Sequence, residues 1–121
     1  MNDTQIEQEI LSNGLTAPRV TSKDIEDNIL WCHCFTAAEG LAGREVAPLT
    51  GELVVHKSLH LLTICVLVLK NGFTVTGESA CASPENFNPE IGRQIARQNA
   101  VNKVWPLMGY ELKQRLSEGT K

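Results

Sequence analysis

The chain has 121 residues, 42% of them apolar and 21% charged, which gives room for one domain with one hydrophobic core. Its formal net charge of −3 argues against a general binder of long nucleic acid, because phosphate backbones are held by clustered Lys and Arg. The charge is uneven: residues 1–31 hold six acidic and two basic side chains, whereas residues 82–121 hold six basic and four acidic, so an anionic ligand finds its counter-charges in the C-terminal third.

The first 20 residues mix polar side chains with Asn13-Gly14 and Pro18 and show no sustained period. They read as a flexible N-terminal arm, at most a short helix, ahead of a single α+β domain over residues 21–121. No basic stretch leads into an apolar one at the N-terminus, and the longest largely apolar run, Leu61–Leu69, is too short to span a bilayer as a helix. The expectation is a soluble cytoplasmic protein with no membrane partner.

Thr21 is an N-cap with Asp24 three residues on, and Ile25, Ile29 and Cys32 follow at helical spacing, which predicts a helix over about 22–32. Cys32-His33-Cys34 invites a zinc reading, but zinc sites match one close Cys pair with a second, and no second pair exists in the sequence. With no secretory signal, the four cysteines read as ordinary thiols and no metal is expected. From Phe35 to Pro48 the chain is rich in Gly and Ala without a period and reads as a loop with at most one helical turn.

Leu53–Val55 and Leu59–Leu69 are strand-like, and Lys70-Asn71-Gly72-Phe73 is a hairpin signal, because Asn-Gly accepts the positive φ values of a tight turn. A two-residue loop pairs Lys70 with Phe73, Val68 with Val75, Val66 with Gly77 and Ile64 with Ser79. The opposite face then sets Leu67 beside Thr76 and Cys65 beside Glu78. The first hairpin strand is apolar on both faces, as in a central strand covered by helices on one side and by something else, a partner subunit among the candidates, on the other.

Ser83-Pro84-Glu85 and Asn88-Pro89-Glu90 each offer an N-cap, a proline at the first helical position and an acid in the first turn. The first opens a single turn. The second opens a helix over about Pro89–Trp105, which Pro106 kinks or breaks before a last helix over about Leu107–Leu116. The predicted fold is therefore α+β: an antiparallel sheet with a central hairpin, one N-terminal helix and two C-terminal helices.

Wound on a helix, Ile91, Ile95, Val101 and Trp105 share a side with Gln94, Gln98 and Asn102. Amides among core-facing residues need partners, which are backbone, a subunit, a host protein or a ligand, unless they only rim the core and meet water. Arg93 and Arg97 stand one turn apart and can clamp phosphates or form a solvated basic face, and Lys103 and Arg115 admit the same two readings. Phe87, between Asn86 and Asn88 at a helix start, can stack on a base or staple the helix entrance onto Ile91 or Gly92.

Catalysis is poorly supported. Ser79 and Ser83 have no nearby His, and the chain contains no Gly-x-Ser-x-Gly elbow, phosphate-cradling Gly-rich loop or second carboxylate to match Glu78. Cys81 with the distant His33 is a nucleophile pairing that spacing does not test.

The run LTICVLVLKNGFTVTGESACASPENFNPEIGRQIARQNAVNKVWPLMGYELKQRL, with VTSKDIEDNIL upstream, resembles a family of small phage and prophage proteins, the one containing the anti-Thoeris sponges. Its most specific words are NGFTVTGESAC, ENF, EIGRQIARQNA and NKVWPLMGY. The resemblance implies a protein of the host bacterial cytoplasm that sequesters glycocyclic ADP-ribose, the immune signal made by bacterial TIR-domain proteins, with no reaction catalysed and no cofactor. It further implies an α+β protomer with the nucleotide site shared between copies, in a dimer or in a hexamer built as a trimer of dimers, some members also holding cyclic oligonucleotides. On this reading Phe87 stacks, Asn86 and Asn99 contact base edge and ribose, and Arg97 and Arg115 meet the phosphates; Arg93 and Lys103 complete the candidate ligand-binding set. Residues 1–20 and 33–57 carry no part of the resemblance.

Overall fold

A computed structural model describes residues 2–43 and 55–119 of the chain. Its elements are α1 (Asp3–Ser12), α2 (Ser22–Asp27), β1 (Ile29–Thr36), α3 (Ala37–Ala42), β2 (Leu62–Leu69), β3 (Thr74–Ala80) and α4 (Pro89–Gly119), with 3₁₀ turns at Lys57–Leu61 and Pro84–Asn86. The class is the predicted α+β one. The strands pair antiparallel in the order β1-β2-β3, which places β2 at the centre.

β2 turns Thr63, Cys65, Leu67 and Leu69 inward and leaves Leu62, Ile64, Val66 and Val68 half-buried, the alternation of a strand with two unlike faces. The inner face packs with Val75 and Ile25 beneath Ala96, Ala100, Val101 and Val104 of α4. The helix lies very close to β3. A Cβ built on Gly77 would stand 2.2 Å from both Ala100 N and Ala96 O, so only glycine lets the helix backbone settle there. The outer face carries Trp31, His33 and Phe35 of β1, with successive ring centroids 5.8 and 6.2 Å apart.

Several sequence expectations change in the folded chain. α2 keeps its predicted start, with Thr21 and Asp24 forming a capping box, but ends at Asp27 rather than near residue 32. Residues 29–36 instead form β1, because Trp31, His33 and Phe35 alternate with Cys32 and Cys34 at period two and the backbone pairs with β2. The stretch read as a loop therefore begins inside a strand and continues into α3, which Thr36 and Glu39 cap reciprocally. Of the expected strand Leu53–Val55, Leu53 and Val54 lie outside the described residues, and Leu59–Leu61 belong to a 3₁₀ turn.

The hairpin forms where Asn71-Gly72 predicts it, one residue out of the expected register. Val68 faces Thr74, Leu67 faces Val75, Cys65 faces Gly77 and Ile64 faces Glu78. The loop holds three residues, not two: Leu69 N donates to Phe73 O at 2.9 Å, Gly72 N donates to Leu69 O at 2.8 Å, and Gly72 takes φ +89°. The slip buries Val75 and Gly77 in place of Thr74 and Thr76, the arrangement with the larger apolar burial.

At the C-terminus a single helix replaces the two predicted. Pro106 has no N–H to donate, yet α4 runs through it because Val104 before it and Met108 after it pack on the same core. The buried stripe of α4 is also not the expected one. Gly92, Ala96, Ala100, Val101 and Val104 face the sheet, while Ile91 and Ile95 are 52% and 46% exposed. Gln94, Gln98 and Asn102 are exposed beside them, with Gln98 Nε2 donating to Asn102 Oδ1 at 2.8 Å. The N-terminal arm holds a capped helix, α1, whose Glu7 receives both terminal nitrogens of Arg19.

Candidate functional site

The start of α4 meets the end of β1 around a cavity of about 480 Å³. Its walls come from Cys34 to Thr36 of β1, Glu39 of α3, His60 and Leu61 of the 3₁₀ turn, Thr63 of β2, and Pro84, Phe87, Pro89 and Arg93 around the start of α4. Local chemistry fixes that last group. Asn88 Oδ1 accepts from the backbone N–H groups of Glu90 and Ile91 at 3.0 and 3.2 Å, so the predicted cap sets where the helix begins. The preceding turn then lays Phe87 against Gly92, where an added Cβ would come within 3.6 Å of the ring.

Thr63 is the polar residue on the inward face of β2. It is 2% exposed and its hydroxyl has no hydrogen-bond partner among the described residues, an arrangement that costs about 1–3 kcal/mol if it stays unpaired. Gly92 is what admits it: a Cβ there would stand 2.9 Å from Thr63 Oγ1. Arg93 reaches Glu90 across one turn at 2.8 Å on an exposed surface, a pairing weak enough to be exchanged for a ligand. Glu39 is committed to its cap, and the backbone N–H and hydroxyl of Thr36, with lesser help from Arg93 and His33, hold its carboxyl below the usual range.

The structure brings Phe87 and Arg93 of the predicted set together and disperses the rest. Asn86 is exposed at the end of the 3₁₀ turn. Arg97 forks onto Glu26 of α2 at 3.1 and 2.7 Å, tying that helix to α4. Asn99 donates to the Glu78 carbonyl at 2.8 Å, and Lys103 stands 4.0 Å from the Glu78 carboxylate. Arg115 pairs with Glu111 at 2.5 Å on the wall of a second, larger cavity of about 760 Å³ between α2, the hairpin loop and the middle of α4. That cavity sets Asp24, Asp27 and Glu111 against Lys70 and Arg115, so its carboxylates oppose an anion. Of the two cavities the smaller, with Arg93 and Phe87 on its wall, suits an anionic ligand better despite its size.

Thr63 and Glu39 were not singled out from the sequence, and Cys34 was weighed only as a metal ligand. Thr63 had a usable signal, a hydroxyl interrupting an apolar alternation, but the expected register gave no reason to place it inside. Cys65, the partner of Cys34 in the sheet, is fully buried, and burial followed by its two neighbouring thiols pushes its own thiol well above the ordinary range.

Residues 20–116 match the family model described as Phage protein (N4 Gp49/phage Sf6 gene 66) family. No curated protein and no solved structure matches the chain.

Proposed function

The chain belongs to this phage protein family, and from that premise we propose that it is an anti-defence sponge that binds a small cyclic nucleotide signal and withholds it without catalysis. Glycocyclic ADP-ribose is the first candidate and cyclic oligonucleotides the second. The supporting observation is the orphaned Thr63 hydroxyl in a concave site that also offers the Phe87 ring and the Arg93 guanidinium. Small-molecule sites commonly take this form, a cavity of about 300–1,000 Å³ with few polar groups converging in it. Phe87 stacks on the base, Thr63 supplies a hydrogen bond that none of the described residues takes up, and Arg93 exchanges Glu90 for a phosphate.

Sequestration at submicromolar affinity requires more than about 8 kcal/mol, which an enclosed site supplies more readily than an open groove. A second copy completes the enclosure in this reading. Ile91 and Ile95, exposed near the Arg93 end of α4, are apolar surface that such a copy would cover. The same exposure favours one competing reading, in which the polar face of α4 docks a host protein and no nucleotide binds.

The test is calorimetry and native mass spectrometry with glycocyclic ADP-ribose, followed by heating to release the ligand. Stoichiometric binding to an oligomer with intact nucleotide recovered supports the proposal. No binding, or a chemically altered nucleotide, overturns it, and a single host protein recovered in a pull-down without nucleotide binding favours the competitor. Thr63→Val sharpens the test, since this near-isostere removes the orphan hydroxyl: stability should rise by about 1 kcal/mol while affinity falls about tenfold. Unchanged affinity would remove Thr63 from the site.

A further inference from the structure

β1 and β2 bring three thiols to one face of the sheet. Cys34 and Cys65 are direct register partners, and Cys32, two residues before Cys34, points to the same side. Cys32 Sγ lies 3.6 Å from Cys65 Sγ, and all three sulfurs fall within 4.8 Å of one another. We propose that Cys32, Cys34 and Cys65 form a binding site for one thiophilic divalent cation of the zinc class, with the fourth coordination position taken by water or an exogenous donor at the solvent edge.

The geometry is the first support. Sulfurs bound at about 2.3 Å to one tetrahedral ion stand roughly 3.8 Å apart, so the observed separations need only side-chain adjustment and no movement of the strands. The donor set is the second, because three sulfurs select zinc-like ions over magnesium or calcium, which require oxygen. Charge is the third: three thiolates around a dication leave one net negative charge, and Arg97, held by Glu26, also lies beside Cys32. Access is the fourth. Cys65 is buried and Cys34 half-buried, but Cys32 is exposed and gives the ion a way in.

Sequence spacing offers only a Cys-x-Cys pair, which is why the cluster is invisible before β1 and β2 are paired. A disulfide would use two of the three sulfurs and leave the third beside it. A metal uses all three. Cys81, whose thiol donates to the Ser83 carbonyl at 3.2 Å, lies outside the cluster and serves as an internal control.

The full chain, reduced and kept under argon, is titrated with Co²⁺ and then with Zn²⁺. The expected result is a sulfur-to-cobalt charge-transfer absorption that saturates at one equivalent per chain and is displaced by Zn²⁺. Cys32→Ser, at an exposed position that leaves the circular dichroism spectrum unchanged, should abolish the band, and Cys34→Ser should weaken or abolish it. Cys81→Ser should keep it. No charge-transfer band in the folded, reduced protein, or an undiminished band in Cys32→Ser, overturns the proposal. Loss of the band in Cys81→Ser with the fold intact overturns it too.

Discussion

Gly77→Ala tests how tightly α4 is fitted to the sheet. The added methyl would meet Ala100 N and Ala96 O at 2.2 Å and Ala100 Cα at 2.8 Å, all of them backbone atoms that no rotamer change can move. The helix must retreat by roughly 1 Å to restore ordinary contact, and in a close-packed interior that retreat also loosens Val101 and Val104 against Leu67. The cost belongs at the upper end for overpacking, about 3 kcal/mol. A chain of this size has about 5–15 kcal/mol to lose. At about 4 °C per kcal/mol the melting temperature should fall by about 12 °C, measured by circular dichroism or calorimetry. Urea unfolding should show a lower midpoint with unchanged slope, since the surface exposed on unfolding is nearly the same. A melting temperature within about 3 °C of the parent would refute the close approach.

Gly109→Ala is the control in the same helix: nothing lies within 4 Å of an added Cβ, so the alanine should stabilise by about 0.5–1 kcal/mol through helix propensity, read in the same melts. The Arg97–Glu26 pair predicts a pH dependence. The hydrogen bond from Arg97 is the largest influence holding the Glu26 carboxyl below its ordinary 4.5, so the pair's stabilisation is present above that value and is lost as pH falls through the lowered one. Both side chains are more than a third exposed, so Glu26→Gln should cost only about 0.5–1 kcal/mol at pH 7 and nothing once the carboxyl is protonated; a constant difference across that range would contradict the pairing. Arg93→Ala should leave the melting temperature nearly unchanged, because its bond to Glu90 is an exposed one, yet weaken glycocyclic ADP-ribose binding by about 1.5–3 kcal/mol in calorimetry.

What the sequence made legible was the chemistry that acts over a few residues. Thr21 and Asn88 cap helices because a side chain needs only its own next turn to do so, and the cap at Asn88 brings Phe87 and Arg93, on either side of it, to one cavity. β1 was not legible. Its residues fit a helical and a strand period alike, and the choice is made by β2, more than twenty residues further along the chain. The hairpin shows the same limit at smaller scale. Asn-Gly permits a two-residue loop or a three-residue one, and Asn71 Oδ1, accepting from Phe73 N at 2.9 Å, helps hold the longer.

That one residue of register decides the site. In the two-residue register Leu67 would share a face with Thr76, and Cys65 with Glu78, a face with charge on it and therefore one turned toward water. In the observed register Cys65 and Leu67 face Gly77 and Val75, the helix closes over them, and Thr63 goes in with its neighbours because successive inward positions differ by two. Its hydroxyl is left without a partner among the described residues by the same pairing that builds the core. The buried Cys65 acquires its two neighbouring thiols the same way, through β1. Both proposed sites are thus consequences of strand pairing more than of any local motif, but of different pairings: a variant that restores the two-residue loop should lose the buried Thr63 site, while the thiol cluster, set by the register of β1 on β2, should survive it.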